Sequence, residues 1–147
     1  MAGLVLPALS AQAGAHGYKV KTLEIVHPWT FSTEPGTRSI AVCMIIKSLA
    51  PQGDRLREAR TPIASKVELH KSVTGGAPGE TRITPTLDID GSRPLEMSIS
   101  GDRLILHNVT KSLWAYDTFP MTLVFERAGR IDIDVMVEEA PTPPQKR

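Results

Sequence analysis

Only one cysteine, Cys43, occurs among the 147 residues. An intrachain disulfide is therefore excluded, and so is a CxxC redox pair. Cys43 lies inside the apolar run Ile40-Ala41-Val42-Cys43-Met44-Ile45-Ile46, where a small buried hydrophobe is expected rather than a reactive thiol. Aromatic residues reach only 5% and are scattered, which excludes a stacking platform. Trp29, Trp114, Tyr116, Phe119 and Phe125 are expected to serve the core and a loop at 112–119. Neither sign of charge dominates, since 17 Lys and Arg against 16 Asp and Glu leave a formal net charge of +1. That balance supplies no footprint for nucleic acid and no polybasic patch for a membrane surface. No apolar stretch is long enough for a membrane-spanning helix, so stable membrane insertion is not expected. A Gly-rich phosphate loop, HExxH and Gly-x-Ser-x-Gly are all missing. Pairs such as Glu68 and His70, or Asp132 and Asp134, read as solvated strand faces, and no nucleophile has a base beside it. An enzyme is not expected.

Helix signals are nearly absent too, because no window keeps a long 3.6-residue apolar period behind a cap. What the sequence does contain is a succession of short apolar runs punctuated by Gly, Pro, Asp and Ser. Strands are predicted near 19–27, 38–48, 54–60, 64–73, 80–88, 94–99, 102–109, 120–127 and 130–138. The last is the clearest: Ile131, Ile133, Val135 and Val137 fall on one face, with Asp132, Asp134, Met136 and Glu138 on the other. It follows the strand carrying Met121, Leu123 and Phe125 after a short turn at Ala128-Gly129, which suits an antiparallel hairpin. In the strand at 64–73, Val67 and Leu69 face one way and Glu68 and His70 the other. Many short strands at close spacing argue for an all-β sandwich or barrel, and the length suits one domain.

The two ends read differently. Residues 2–9 are apolar and are followed by Ala11-Gln12-Ala13, a small-x-small site for signal peptidase. Residues 1–13 are therefore read as the remnant of a signal peptide that begins upstream, 14–17 as the first part of the exported chain, and 18–138 as the folded domain. Residues 139–147 form a Pro-rich polar tail, expected to be disordered.

Several segments in fixed order then resemble one family. They are Tyr18-Lys19-Val20, His27-Pro28-Trp29, Asp54-Arg55-Leu56, Thr61-Pro62-Ile63-Ala64 leading into Val67-Glu68-Leu69-His70, Asp117-Thr118-Phe119-Pro120-Met121-Thr122-Leu123 and Phe125-Glu126-Arg127-Ala128-Gly129. Together they resemble the periplasmic copper chaperones called PCu(A)C. The resemblance implies a cupredoxin-like, immunoglobulin-like antiparallel β-sandwich that binds copper and passes it toward cytochrome oxidase or related sites. The family's ligands follow the pattern His, ten residues, Met, about twenty-one residues, His-x-Met, a soft donor set suited to Cu(I).

By that resemblance His70 stands at the first ligand. Ten residues further on comes Thr81 instead of Met, with Ile83 nearby. The later His-x-Met aligns with Leu104-Ile105-Leu106, so both of its ligand positions read as leucine, and His107 lies just beyond without a following Met. A site reduced in this way is expected to bind copper weakly or not at all. Two leucines near His70 would make it an apolar contact face. His107 could restore a site only where its ring converges with that of His70. His27 is read as a packing or turn residue at a strand end, its backbone limited by Pro28.

His16 is a separate candidate. Cleavage after Ala13 leaves Gly14-Ala15-His16, whose amine, two amides and imidazole form a square-planar set for Cu(II) or Ni(II). Cleavage after Ala15 makes His16 terminal, able to chelate through its amine and ring. The expectation is a periplasmic, monomeric copper chaperone-like protein with a degenerate site, whose partner is a copper acceptor or another periplasmic protein. The alternative is a metal-free interaction domain that binds a partner through the former site.

Overall fold

The computed structural model describes residues 17–141. Residues 1–13, read as a signal-peptide remnant, residues 14–16 of the segment after it, with His16, and residues 142–147 of the Pro-rich tail lie outside the described residues.

Among the described residues there is no helix. The chain forms β1 (Gly17–Val20), β2 (Leu23–Phe31), β3 (Ile40–Ser48), β4 (Asp54–Arg60), β5 (Lys66–Ser72), β6 (Thr81–Thr84), β7 (Leu87–Ile89), β8 (Leu95–Glu96), β9 (Arg103–His107), β10 (Thr118–Phe125) and β11 (Gly129–Glu138). Their lateral order is β6-β5-β9-β3-β2-β11-β10-β4-β7, with β1 added to β2 and β8 to β3. The result is an all-β, nearly closed sandwich around one core. All pairings are antiparallel except that of β11 with β2, which runs parallel from Met136↔Trp29 to Glu138↔Phe31.

The alternation of β10 and β11 dictates their burial. Met121, Leu123, Phe125, Ile131, Ile133, Val135 and Val137 are all buried, while Asp132, Asp134 and Met136 face water. Their hairpin closes at Gly129, whose φ of 73° favours glycine. β3 reads as a continuous apolar run because it serves both sheets. One edge pairs with β2, and the other pairs with β9 through Ile40–Val42 and with β8 through Ile45 and Ile46. Val42, Cys43, Met44 and Ile46 are buried there, and burial pushes the Cys43 thiol up to about 11 against the opposing charge of Arg103.

Three expected strands are broken by corners. The run at 19–27 divides at Lys21-Thr22 into a tight hairpin, β1 against β2, with Val20 opposite Leu23. The run at 80–88 divides at Pro85, with β6 pairing with β5 and β7 crossing to pair with β4. Only Leu95 and Glu96 of 94–99 are strand. In the other direction, β2 continues past His27, which is not at a strand end. His27 adopts φ 51° and the register with β3 shifts between Val26 and Trp29. This bulge lets Pro28, which has no N–H, sit inside a central strand. His27 Nε2 lies 2.6 Å from Glu138 Oε1.

Asp54 explains one of the recurring segments. Its Oδ1 accepts from the backbone N–H of Arg55 (2.7 Å) and Arg127 (2.9 Å), and its Oδ2 from that of Ala128 (2.9 Å). The buried carboxylate thereby ties the start of β4 to the β10–β11 turn.

Candidate functional site

The outer face of β5, β9 and β6 carries the candidate site. Antiparallel pairing of β5 with β9 sets Lys66 opposite His107, Glu68 opposite Ile105 and His70 opposite Arg103. On the other edge of β5, His70 faces Ile83 and Ser72 faces Thr81. Directly opposed residues share a face, so these side chains project together.

This register corrects the alignment made from sequence. Leu104 and Leu106 are fully buried core residues and point away from His70. They contribute about 2 kcal/mol each to the core and form no apolar face beside the imidazole. The outward positions of β9 are Arg103, Ile105 and His107. A His-x-Met pattern shifted back by one residue matches the outward face and falls on Arg103 and Ile105, with twenty-one residues between Thr81 and Arg103 and with His107 the next outward position. Thr81, by contrast, stands beside His70 as the spacing implied, with its Oγ1 2.9 Å from His70 Nδ1. Thioethers are distant in role: Met44, Met97 and Met121 are buried in the core and Met136 lies on the outer side of β11.

His70 and His107 are brought together through a residue the sequence reading left on a solvated face. Glu68 has only 11% of its side chain exposed, compared with 17% for His70 and 34% for His107. Its Oε1 is hydrogen-bonded to His107 Nε2 and lies 3.7 Å from His70 Nε2. Its Oε2 lies 3.5 Å from Lys66 Nζ. Burial raises the carboxyl pKa, but the hydrogen bond from His107 and the charges of Lys66 and His107 outweigh it and hold Glu68 below its ordinary value. With the carboxylate oxygen as acceptor, His107 Nε2–H is the donor. The other nitrogen of His107, Nδ1, lies 3.5 Å from Ser39 Oγ.

His70 Nε2 is buried and has no hydrogen-bond partner. At 3.7 Å its separation from Glu68 is too long for a hydrogen bond. Leaving such an atom unpaired costs about 1–3 kcal/mol. Among the described residues, no group of three or more His, Cys, Asp and Glu side chains converges so as to hold a metal ion. The signal that could have identified Glu68 is its place two residues before His70, on the same face of the strand.

Comparison with known proteins agrees with this architecture. The family model LpqE-like, named for a lipoprotein, matches residues 23–137. No curated protein matches the chain. Among solved structures, the copper-bound PCuAC domain from PmoF2 is 25% identical, with a TM-score of 0.74, over 85% of this chain and 99% of that one. The apo PmoF2 PCuAC domain is 26% identical, with a TM-score of 0.72, over 84% and 95%. Cu(I)-bound DR1885 from Deinococcus radiodurans shares the fold at 22% identity and a TM-score of 0.66, over 88% of this chain and 85% of that one. A family match across most of the chain, joined to PCuAC domains of the same shape, shows that the chain belongs to the LpqE-like family of PCu(A)C proteins.

Proposed function

We propose that the protein is an exported copper carrier of the cell envelope, handing copper to an acceptor protein in the assembly of a copper enzyme such as cytochrome oxidase, with a site altered from that of its family. The reading is supported by one observation: His70, which the resemblance aligns with the first ligand, and a second imidazole, His107, both approach the same carboxylate oxygen of Glu68. Copper is cargo here, and the protein performs no chemistry on it. Thr81 in place of a thioether weakens the claim on Cu(I), since the donors left on this face are nitrogen and oxygen. A family named for a lipoprotein, and copper in the PmoF2 and DR1885 domains, support the envelope and the cargo.

The alternative is a metal-free interaction domain that binds a partner protein across this face. It loses the two leucines it rested on but retains Thr81 and the exposed Ile83. Metal analysis of protein purified from the periplasm separates the two. Copper near one per chain, lost in His70→Ala, supports the carrier. Protein that is metal-free and indifferent to added copper supports the interaction domain.

A further inference from the structure

We infer that His70, His107 and Glu68 together bind Cu(II), through two imidazole nitrogens and one carboxylate, a donor set different from the family's thioether set. The inference deepens the carrier reading and rests on its assignment of His70 to copper.

The arrangement of the two rings carries it. Each histidine has its Nδ1 facing a hydroxyl on a neighbouring segment: Thr81 Oγ1 at 2.9 Å for His70, and Ser39 Oγ at 3.5 Å for His107. Each ring thereby turns its Nε2 toward the same oxygen, Glu68 Oε1. Partners on the remote nitrogen are how proteins fix the orientation of metal-binding imidazoles. Of the two Nε2 atoms, one directs its proton to the Glu68 carboxylate and the other is buried with no partner. A cation in place of that proton would satisfy both nitrogens and the carboxylate at once.

The three groups do not yet face a common point, because the carboxylate has closed on His107. The proposal requires Glu68 to turn to another staggered rotamer, so that its carboxylate leaves His107 and meets a cation between the two rings.

Donor chemistry selects the cation. Imidazole and carboxylate suit Cu(II) and Zn(II), whereas Cu(I) favours sulfur, and at a given nitrogen–oxygen site Cu(II) binds more tightly than Zn(II). Lys66, 3.5 Å from Glu68, and Arg103, opposite His70, place positive charge beside the site. They oppose the cation, which moderates affinity and suits release to an acceptor.

The test uses the full chain carrying His16→Ala, so that the chain end does not contribute. Aqueous Cu(II) is titrated against a weak chelator and followed by electron paramagnetic resonance, and Cu(I) is titrated separately against a Cu(I) chelator. The expected result is one Cu(II) per chain with nitrogen hyperfine splitting. Affinity should fall about ten-fold or more in each of His70→Ala, His107→Ala and the isosteric Glu68→Gln. Circular dichroism melts confirm that each variant is folded. Unchanged Cu(II) affinity in folded His107→Ala and Glu68→Gln overturns the donor set. Preference for Cu(I), or displacement of Cu(II) by equal Zn(II), overturns the cation. Binding of neither copper state overturns the carrier reading itself.

Discussion

Alanine at two adjacent positions of β9 tests the face on which the site is built. Leu104 is 0% exposed and sits in the core, so Leu104→Ala removes packed volume where the surroundings relax only partly. Such substitutions cost about 3 kcal/mol. Ile105 is half-buried and faces outward across from Glu68, and its truncation costs about 1 kcal/mol. Urea unfolding followed by tryptophan fluorescence measures both. With a slope of about 1.5 kcal/mol per molar urea, the midpoint falls by about 2 M for Leu104→Ala and about 0.7 M for Ile105→Ala. The same register gives a second readout. Ile105→His adds an imidazole beside Glu68 and should strengthen Cu(II) binding, whereas Leu104→His buries an unpaired ring and should unfold the domain. A larger loss for Ile105→Ala than for Leu104→Ala would refute the reasoning. His107 shares the parity of Ile105, so it would then point into the core and away from His70.

Asp54→Ala removes the acceptor for three backbone N–H groups, and about 3 kcal/mol of stability should go with it in a thermal melt. A loss below about 1 kcal/mol would mean that water replaces the carboxylate at no cost. Cys43, with its thiol pushed up to about 11 by burial, should react with a disulfide reagent only as fast as the fold opens, and rapid labelling of native protein would contradict its burial. Because the folded thiol holds its proton more tightly than the unfolded one, Cys43 stabilises the fold below pH 9. That contribution is lost as pH rises from 9 toward 11, so the stability of Cys43→Ala should depend less on pH across that window.

The sequence was readable where one face of a strand is dry and the other wet. In β10 and β11 the period of two is written in the residue types, and the hairpin between them follows. It was less readable at corners. Thr81 to Ile89 is a run of strand formers, and only Pro85 marks where the chain leaves one sheet for the other. The site suffered from the same loss of contrast. Leu104, Ile105 and Leu106 are all apolar, so nothing in their chemistry says which of them faces out, and a one-residue slip exchanges the two faces. That His70 and Thr81 lie side by side was legible because β5 and β6 form a hairpin between segments close in sequence. Glu68 was missed because its role appears only when β9 brings His107 beside it.

The parallel junction of β2 with β11 has a consequence for how the molecule is made. The second half of β2, Trp29 to Phe31, is sealed on one side by β11, the first half being paired with β1, so no N-terminal portion of the domain can complete its hydrogen bonding while synthesis continues. Pairings so far apart in sequence repay their loop closure late, which delays folding until the whole polypeptide is free. A product clipped before Gly129 would carry a bare strand edge through its middle, open to its neighbours and prone to clump with them.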